Sequence, residues 1–143
     1  MVNAAGEKTR AVERRADRRW LDKPHSAAFA ADGSFAIIAI PSSWGSGRAP
    51  SLTLFNPGGD PTRTLELPGM TYPRVAFNGA IACVVSEETI LFVSAAEGRT
   101  GISAMSGGKK RWWWYPYSSP DGRELWMLDP EAKALHRFVM PEL

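Results

Sequence analysis

The chain offers few groups that could do covalent or acid–base chemistry. It holds one cysteine, Cys83, and two histidines, His25 and His136. Cys83 lies inside the apolar run Ile81, Ala82, Cys83, Val84, Val85. An apolar setting disfavours the thiolate, and no neighbouring cation offsets it, so a buried structural thiol is expected rather than a nucleophile. The histidines are not at ligand spacing, and no group of His, Cys, Asp and Glu matches a metal site. They are expected to be surface or strand-end residues, and no metal or cofactor is expected. Glu87, Glu88 and Glu97 sit in turns, with nothing to oppose two of them as a glycosidase pair requires. Ser42, Ser43, Ser46 and the glycines among them do not form a nucleophile elbow, which needs Gly-x-Ser-x-Gly between a strand and a helix. No Gly-Lys-Ser/Thr follows, so they do not form a phosphate loop either. The expectation is a protein that is not an enzyme.

One segment is unusual. Lys109, Lys110 and Arg111 run into Trp112, Trp113, Trp114, Tyr115 and, past Pro116, Tyr117. In a strand, alternate side chains face opposite ways. Trp112, Trp114 and Pro116 then share one face, and Trp113, Tyr115 and Tyr117 share the other. One face belongs to a core; the other exposes aromatics unless another chain or ligand covers it. Trp, Tyr and Arg dominate the energetics of protein interfaces. The candidate interface residues are therefore Trp44, Arg111, Trp113, Tyr115, Tyr117, Arg123 and Trp126. Single strands of nucleic acid also stack on aromatics beside basic residues, but the charge distribution disfavours them. The chain carries 17 basic and 15 acidic residues. The excess sits in residues 1–23, leaving the remainder near neutral, without the broad positive face that phosphates need.

These residues must be positioned by strands. The 143 residues suit a single domain with a core of its own. Thirteen glycines and eleven prolines imply many turns. The start of the chain lacks the apolar run of a secretory signal, and no stretch approaches the ~18 apolar residues of a membrane span. A cytoplasmic protein with no membrane contact is expected. Residues 7–21 read as a charged helix with Val12, Ala16 and Trp20 along one stripe, ended by Pro24. Residues 1–23 form an N-terminal arm in this reading, which either packs Trp20 and Leu21 on the body or grips a partner.

From residue 24 onward the pattern is β. Apolar runs at 35–40, 52–55, 81–85 and 89–93 are bounded by turn residues, and 62–67 alternates polar with apolar. An Asp-Gly or Asn-Gly turn follows an aromatic-bearing strand three times, at Asp32 and Gly33, Asn78 and Gly79, and Asp121 and Gly122. This divides residues 24–143 into repeats at 24–68, 69–106 and 107–143. The third repeat is one strand short. Its residues 125–130 match 53–57 better than 35–40, which removes a strand either after Gly122 or at the C-terminus.

A period of ~40–45 residues made of short strands resembles β-propeller repeats. The closest matches to the propeller pattern are Ser119, Pro120, Asp121, Gly122 and then Leu128, Asp129, Pro130. The resemblance covers residues 24–141 and implies a mainly β fold. Three antiparallel blade-like meanders would form a partial β-propeller, beside one N-terminal α-helix. Three blades do not close a ring, since propellers have ~4–8, and open strand edges need covering. A homodimer of six blades is the favoured assembly. The function expected is a non-enzymatic protein-binding module, such as a small inhibitor or immunity-type protein acting by surface occlusion. The alternative is a lectin-like oligomeric propeller stacking sugars on Trp44, Trp113 and Trp126 beside Arg123. A lectin would repeat the same Trp and Arg in every copy, and this chain does not.

Overall fold

A computed structural model describes residues 22–41, 47–87, 89–98, 100–104, 115–129 and 132–143. The helix expected at 7–21 lies outside these residues, as do Trp44, Arg111 and Trp113. The described residues are mainly β. Eleven strands form three antiparallel sheets, each a meander in which sequence neighbours pair. The first holds β1 (Asp22–Phe29), β2 (Phe35–Pro41), β3 (Ser51–Phe55) and β4 (Pro61–Glu66). The second holds β5 (Arg74–Phe77), β6 (Ile81–Val85), β7 (Thr89–Ser94) and β8 (Thr100–Ala104). The third holds β9 (Tyr115–Ser118), β10 (Glu124–Asp129) and β11 (Ala134–Val139). The described strands close no barrel or ring. The leading strands lie together, with β5 packed against both β1 and β9.

Among the described residues the third sheet has three strands, and its register shows which positions they take. The segment after Gly122 is β10, the second strand of its sheet, and it pairs with both β9 and β11. Residues 125–129 are therefore counterparts of β2. Their likeness to residues 53–57 was misleading, because strands of either position carry the same alternation of apolar residues.

Each sheet begins with the same device. A turn closed by a backbone hydrogen bond joins its first two strands: Ala30 N to Ser34 O, Asn78 N to Ile81 O, and Ser119 N to Glu124 O. The side chain inside the turn holds it. Asp32 Oδ1 accepts from Ser34 N and Oγ, Asn78 Oδ1 from Ala80 N and Ile81 N, and Asp121 Oδ1 from Ser119 Oγ and Arg123 N. Aspartate and asparagine do this because their short side chains reach the backbone two residues on.

Counting outward from these closing pairs aligns the sheets. Ala36 and Ile38 correspond to Cys83 and Val85, and to Trp126 and Leu128. Phe35 and Ile37 correspond to Ala82 and Val84, and to Leu125 and Met127. The first set lies on what we term the front of each sheet and the second on the rear. The fronts pack on rears. Ala36, Ile38, Leu52 and Leu54 of the first front meet Val75, Phe77, Ala82, Val84 and Val93 of the second rear. Cys83, Val85 and Ile90 of the second front meet Leu125 and Met127 of the third rear, with Met140 alongside. Every residue in these two clusters is at most 9% exposed. Burying one such aliphatic side chain contributes ~1.5–3 kcal/mol, so the two seams hold the fold.

Polar contacts cross both seams. Arg63 of β4 donates to Ala95 O and Ala96 O beyond the end of β7. Ser26 Oγ accepts from Val75 N. Asn78 Nδ2 donates to Gly122 O at 2.8 Å. The turns themselves touch. A Cβ on Gly79 would meet Asp32 at 3.5 Å, and one on Gly122 would meet Asn78 at 3.3 Å. Both glycines have positive φ, +97° and +73°, so backbone conformation selects glycine at both, and at Gly122 the close approach of Asn78 adds to it.

Candidate interaction face

The third sheet packs its rear on the second, and its front contributes to neither buried cluster. That front is built from three strands in register. Tyr117, Trp126 and Arg137 form one cross-strand row; Tyr115, Leu128 and Leu135 form the next. Glu124 and Val139 complete it. Tyr117 is 54% exposed, Leu128 40%, Leu135 52% and Val139 82%. Pro116, between the two tyrosines, is buried on the opposite face.

The polar groups of this face satisfy one another. Trp126 Nε1 donates to Glu124 Oε2 at 2.7 Å. Arg137 reaches Glu124 through Nε at 3.1 Å and Nη2 at 2.8 and 2.9 Å, and its guanidinium lies 5.9 Å from the Trp126 ring centroid. The indole N–H, and then the guanidinium, hold the Glu124 carboxyl below its ordinary pKa. An exposed pair of this kind adds little stability. Its effect here is to leave an apolar surface with no uncompensated charge.

Of the candidates read from sequence, Tyr115, Tyr117 and Trp126 are brought onto this one face. Arg123 is not; it is exposed in the turn before β10, where its carbonyl accepts from Met140 N. Tyr115 is partly covered by Arg74, whose guanidinium lies 4.2 Å from the ring centroid. Leu128, Leu135, Arg137 and Val139 complete the face and were not among the candidates. The signal that could have found three of them is the alternation of Leu135, Arg137 and Val139 against His136 and Phe138.

The groups with chemical potential are placed differently. Cys83 is fully buried, its thiol 3.3 Å from Met140 Sδ, and burial pushes its pKa up to about 12. A protonated thiol neither attacks nor is alkylated readily. We expect a thiol reagent at pH 8 to label Cys83 no faster than the protein unfolds, and rapidly in denaturant. Prompt labelling of the folded protein would contradict that placement.

His25 occupies an irregularity of β1, between Pro24 and Ser26, with its ring 5.8 Å from Tyr72. Burial, then the charge of Arg74, lower its pKa. His136 lies in β11, its Nε2 4.0 Å from Asp129 Oδ2. Among the described residues, no group of three or more His, Cys, Asp and Glu could hold a metal. An open cleft of about 610 Å3 lies between the first two sheets, lined by Glu66, Met70, Thr71, Ser86, Thr89 and Leu91 among others. Ser86 Oγ is engaged there by the backbone of Thr71. No helix among the described residues is long and apolar enough to cross a membrane.

The described residues define a mainly β chain of three antiparallel sheets, with the front of the third sheet in neither buried cluster. No family model matches it, and no curated protein does. Solved structures do. It is similar to hydrazine synthase of Kuenenia stuttgartiensis, with a TM-score of 0.51 and 11% identity over 84% of this chain and 46% of that one. It is also similar to an auxiliary nutrient binding protein from Bacteroides ovatus, with a TM-score of 0.49 and 13% identity over 85% of this chain and 32% of that one. The chain spans less than half the length of either. At such identity the first likeness concerns the fold alone.

Proposed function

We propose that this protein is a non-enzymatic protein-binding module, an incomplete β-propeller that binds another protein through the front of its third sheet. Inhibition of that partner by occlusion is one action such a module would have. The observation that carries the reading is the exposure on one sheet face of Tyr117, Leu128, Leu135 and Val139 beside a self-neutralised Glu124–Arg137 pair. Contiguous apolar surface of this kind marks interaction sites, and Tyr and Trp supply contact area at low entropic cost. The non-enzymatic part draws support from the inert setting of Cys83. A sugar-stacking reading has less support. The counterparts of Trp126 in the other sheets are Ala36 and Cys83, so no ring of equivalent aromatic sites forms.

The test is a photo-crosslinking amino acid placed at Tyr117, with the exposed Glu142 as a control position. A protein adduct is expected from position 117 and not from position 142. No adduct from position 117, or an equal yield from both, overturns the reading.

A further inference from the structure

The front of the third sheet has a counterpart within the same molecule. The first sheet packs its front on the second, and its rear joins neither buried cluster. That rear carries Phe29, Phe35 and Phe55 in one cross-strand row and Ala27, Ile37 and Thr53 in the next. The Phe29 and Phe35 centroids lie 5.5 Å apart, and Phe35 stacks on Phe55 at 4.6 Å. Phe29 is 64% exposed. Phe35 and Ala39 of that rear are only 2% and 7% exposed, so its open part is on β1, around Phe29. The described sheets end in a front at one side and a rear at the other that join neither cluster, and both internal seams join a front to a rear.

The turns tell the same story. The Asp32 side chain abuts Gly79, and the Asn78 side chain abuts Gly122. Asp121 is the next side chain in this series, and Gly33 is the glycine with no such neighbour. Among the described residues, a Cβ on Gly33 would meet Pro57, at 3.6 Å, a residue of its own sheet's hairpin. Asp121 and Gly33 are the two ends of one chain of contacts.

Resting on the protein-binding reading above, we propose that the partner is a second copy of this chain. The front of each third sheet seats on the rear of the other copy's first sheet, with Asp121 against Gly33. Both seams repeat the mode already present twice inside the molecule, so no new kind of interface is required. The count of sheets selects two copies. Six lies within the ~4–8 blades over which propellers close, whereas three copies would give nine. A front-to-rear contact is heterologous, and such contacts either close into a ring or run on as a filament. Closure after two copies also covers the free rear of β1 and the free front of β10 at once.

The experiment is sedimentation equilibrium on the wild type, on Leu128→Asp and on Phe29→Asp. Both substituted residues are well exposed in the single chain, 40% and 64%, so a charge there does little to the monomer's stability. Circular dichroism of each variant checks this. The wild type is expected at twice the chain's 15.7 kDa. Each variant spoils both seams. A central contact is worth ~30-fold in affinity, so two losses raise the dissociation constant roughly a thousandfold and leave monomer. Mixing the two variants restores a dimer, because one of its seams is then wild type on both sides.

A wild type that remains monomeric overturns the proposal. So does a dimer lost in Leu128→Asp yet kept in Phe29→Asp, which would mean third sheet on third sheet. Neither outcome touches the protein-binding reading, which stands or falls on whether position 117 crosslinks to any protein. A monomer that still gives an adduct there separates the two.

Discussion

Leu125→Ala is expected to cost about 2–5 kcal/mol. Leu125 is fully buried at the middle strand of that sheet and packs with Met127 on the front of the second. Removing its isobutyl group forfeits the transfer energy of those atoms and leaves a cavity among Cys83, Val85 and Ile90, on strands that cannot collapse without breaking their pairing. A domain of this size has ~5–15 kcal/mol of stability in all, so the variant would be near its limit at physiological temperature. Leu128→Ala, on the same strand but 40% exposed, should lie within about 1 kcal/mol of the wild type if the protein is studied dilute. Met127→Leu keeps the volume and should cost under about 1.5 kcal/mol. Urea unfolding of the three variants measures these losses directly. A cost below about 1 kcal/mol for Leu125→Ala would mean that the third sheet is not held by this seam, and the front-to-rear order would lose its second instance.

That order was only partly legible in the sequence. The three turns were visible because Asp-Gly and Asn-Gly supply a positive φ that few other pairs allow. Their spacing gave three units, and the strand runs followed from their composition. What the glycines did not give was register. The first residue beyond the closing pair lies two residues after Gly33, at Phe35, but three residues after Gly79 and Gly122, at Ala82 and Leu125. Aligning the copies on glycine therefore sets the first out of step with the other two by one position. In a strand, one position exchanges the two faces. This is why residues 125–129 could be matched to 53–57 and the absent strand left unplaced. The closing hydrogen bonds resolve it, and they are a property of the folded turn rather than of the residue types.

The interaction face was legible to the same partial degree. A period of two puts Tyr115 and Tyr117 on one side, and the structure keeps them there. It does not say that Leu128, Leu135 and Val139 share that side. The same alternation occurs on β2, where Ala36 and Ile38 are buried because a second sheet follows. Trp126 and Leu128 occupy the equivalent positions with no described sheet in front of them. Their exposure is a consequence of where they fall in the succession of sheets. Composition does hint at the difference. The seam-forming fronts are aliphatic and close-packed, while the open one carries Tyr, Trp and an Arg–Glu pair, groups that tolerate water as well as contact.

Asn78 offers a sharper test of how the sheets are coupled. Its side chain does two jobs: Oδ1 accepts from Ala80 N at 2.9 Å and Ile81 N at 2.7 Å, and Nδ2 donates to Gly122 O at 2.8 Å. The first and third turns use aspartate for the first job, so an aspartate at 78 would serve the turn equally well. Only the bond to Gly122 requires the amide. Asn78→Asp should therefore leave the turn intact and lose the coupling, while setting a carboxylate oxygen where a donor had faced a carbonyl. The expected cost at neutral pH is about 1–3 kcal/mol, that of leaving a partly buried acceptor unsatisfied. Asn78→Ala loses all three bonds and should cost about 2–4 kcal/mol. Hydrogen exchange separates the effects. In Asn78→Asp the amides of β9 and β10 should exchange faster while Ile81 N stays protected; in Asn78→Ala both lose protection. If Asn78→Asp matches the wild type in stability and exchange, the amide's bond to Gly122 contributes nothing to coupling the second and third sheets. Asp121 has no amide to donate, so its place beside Gly33 in a second copy would be of the Asp32–Gly79 kind, a packing contact without this hydrogen bond.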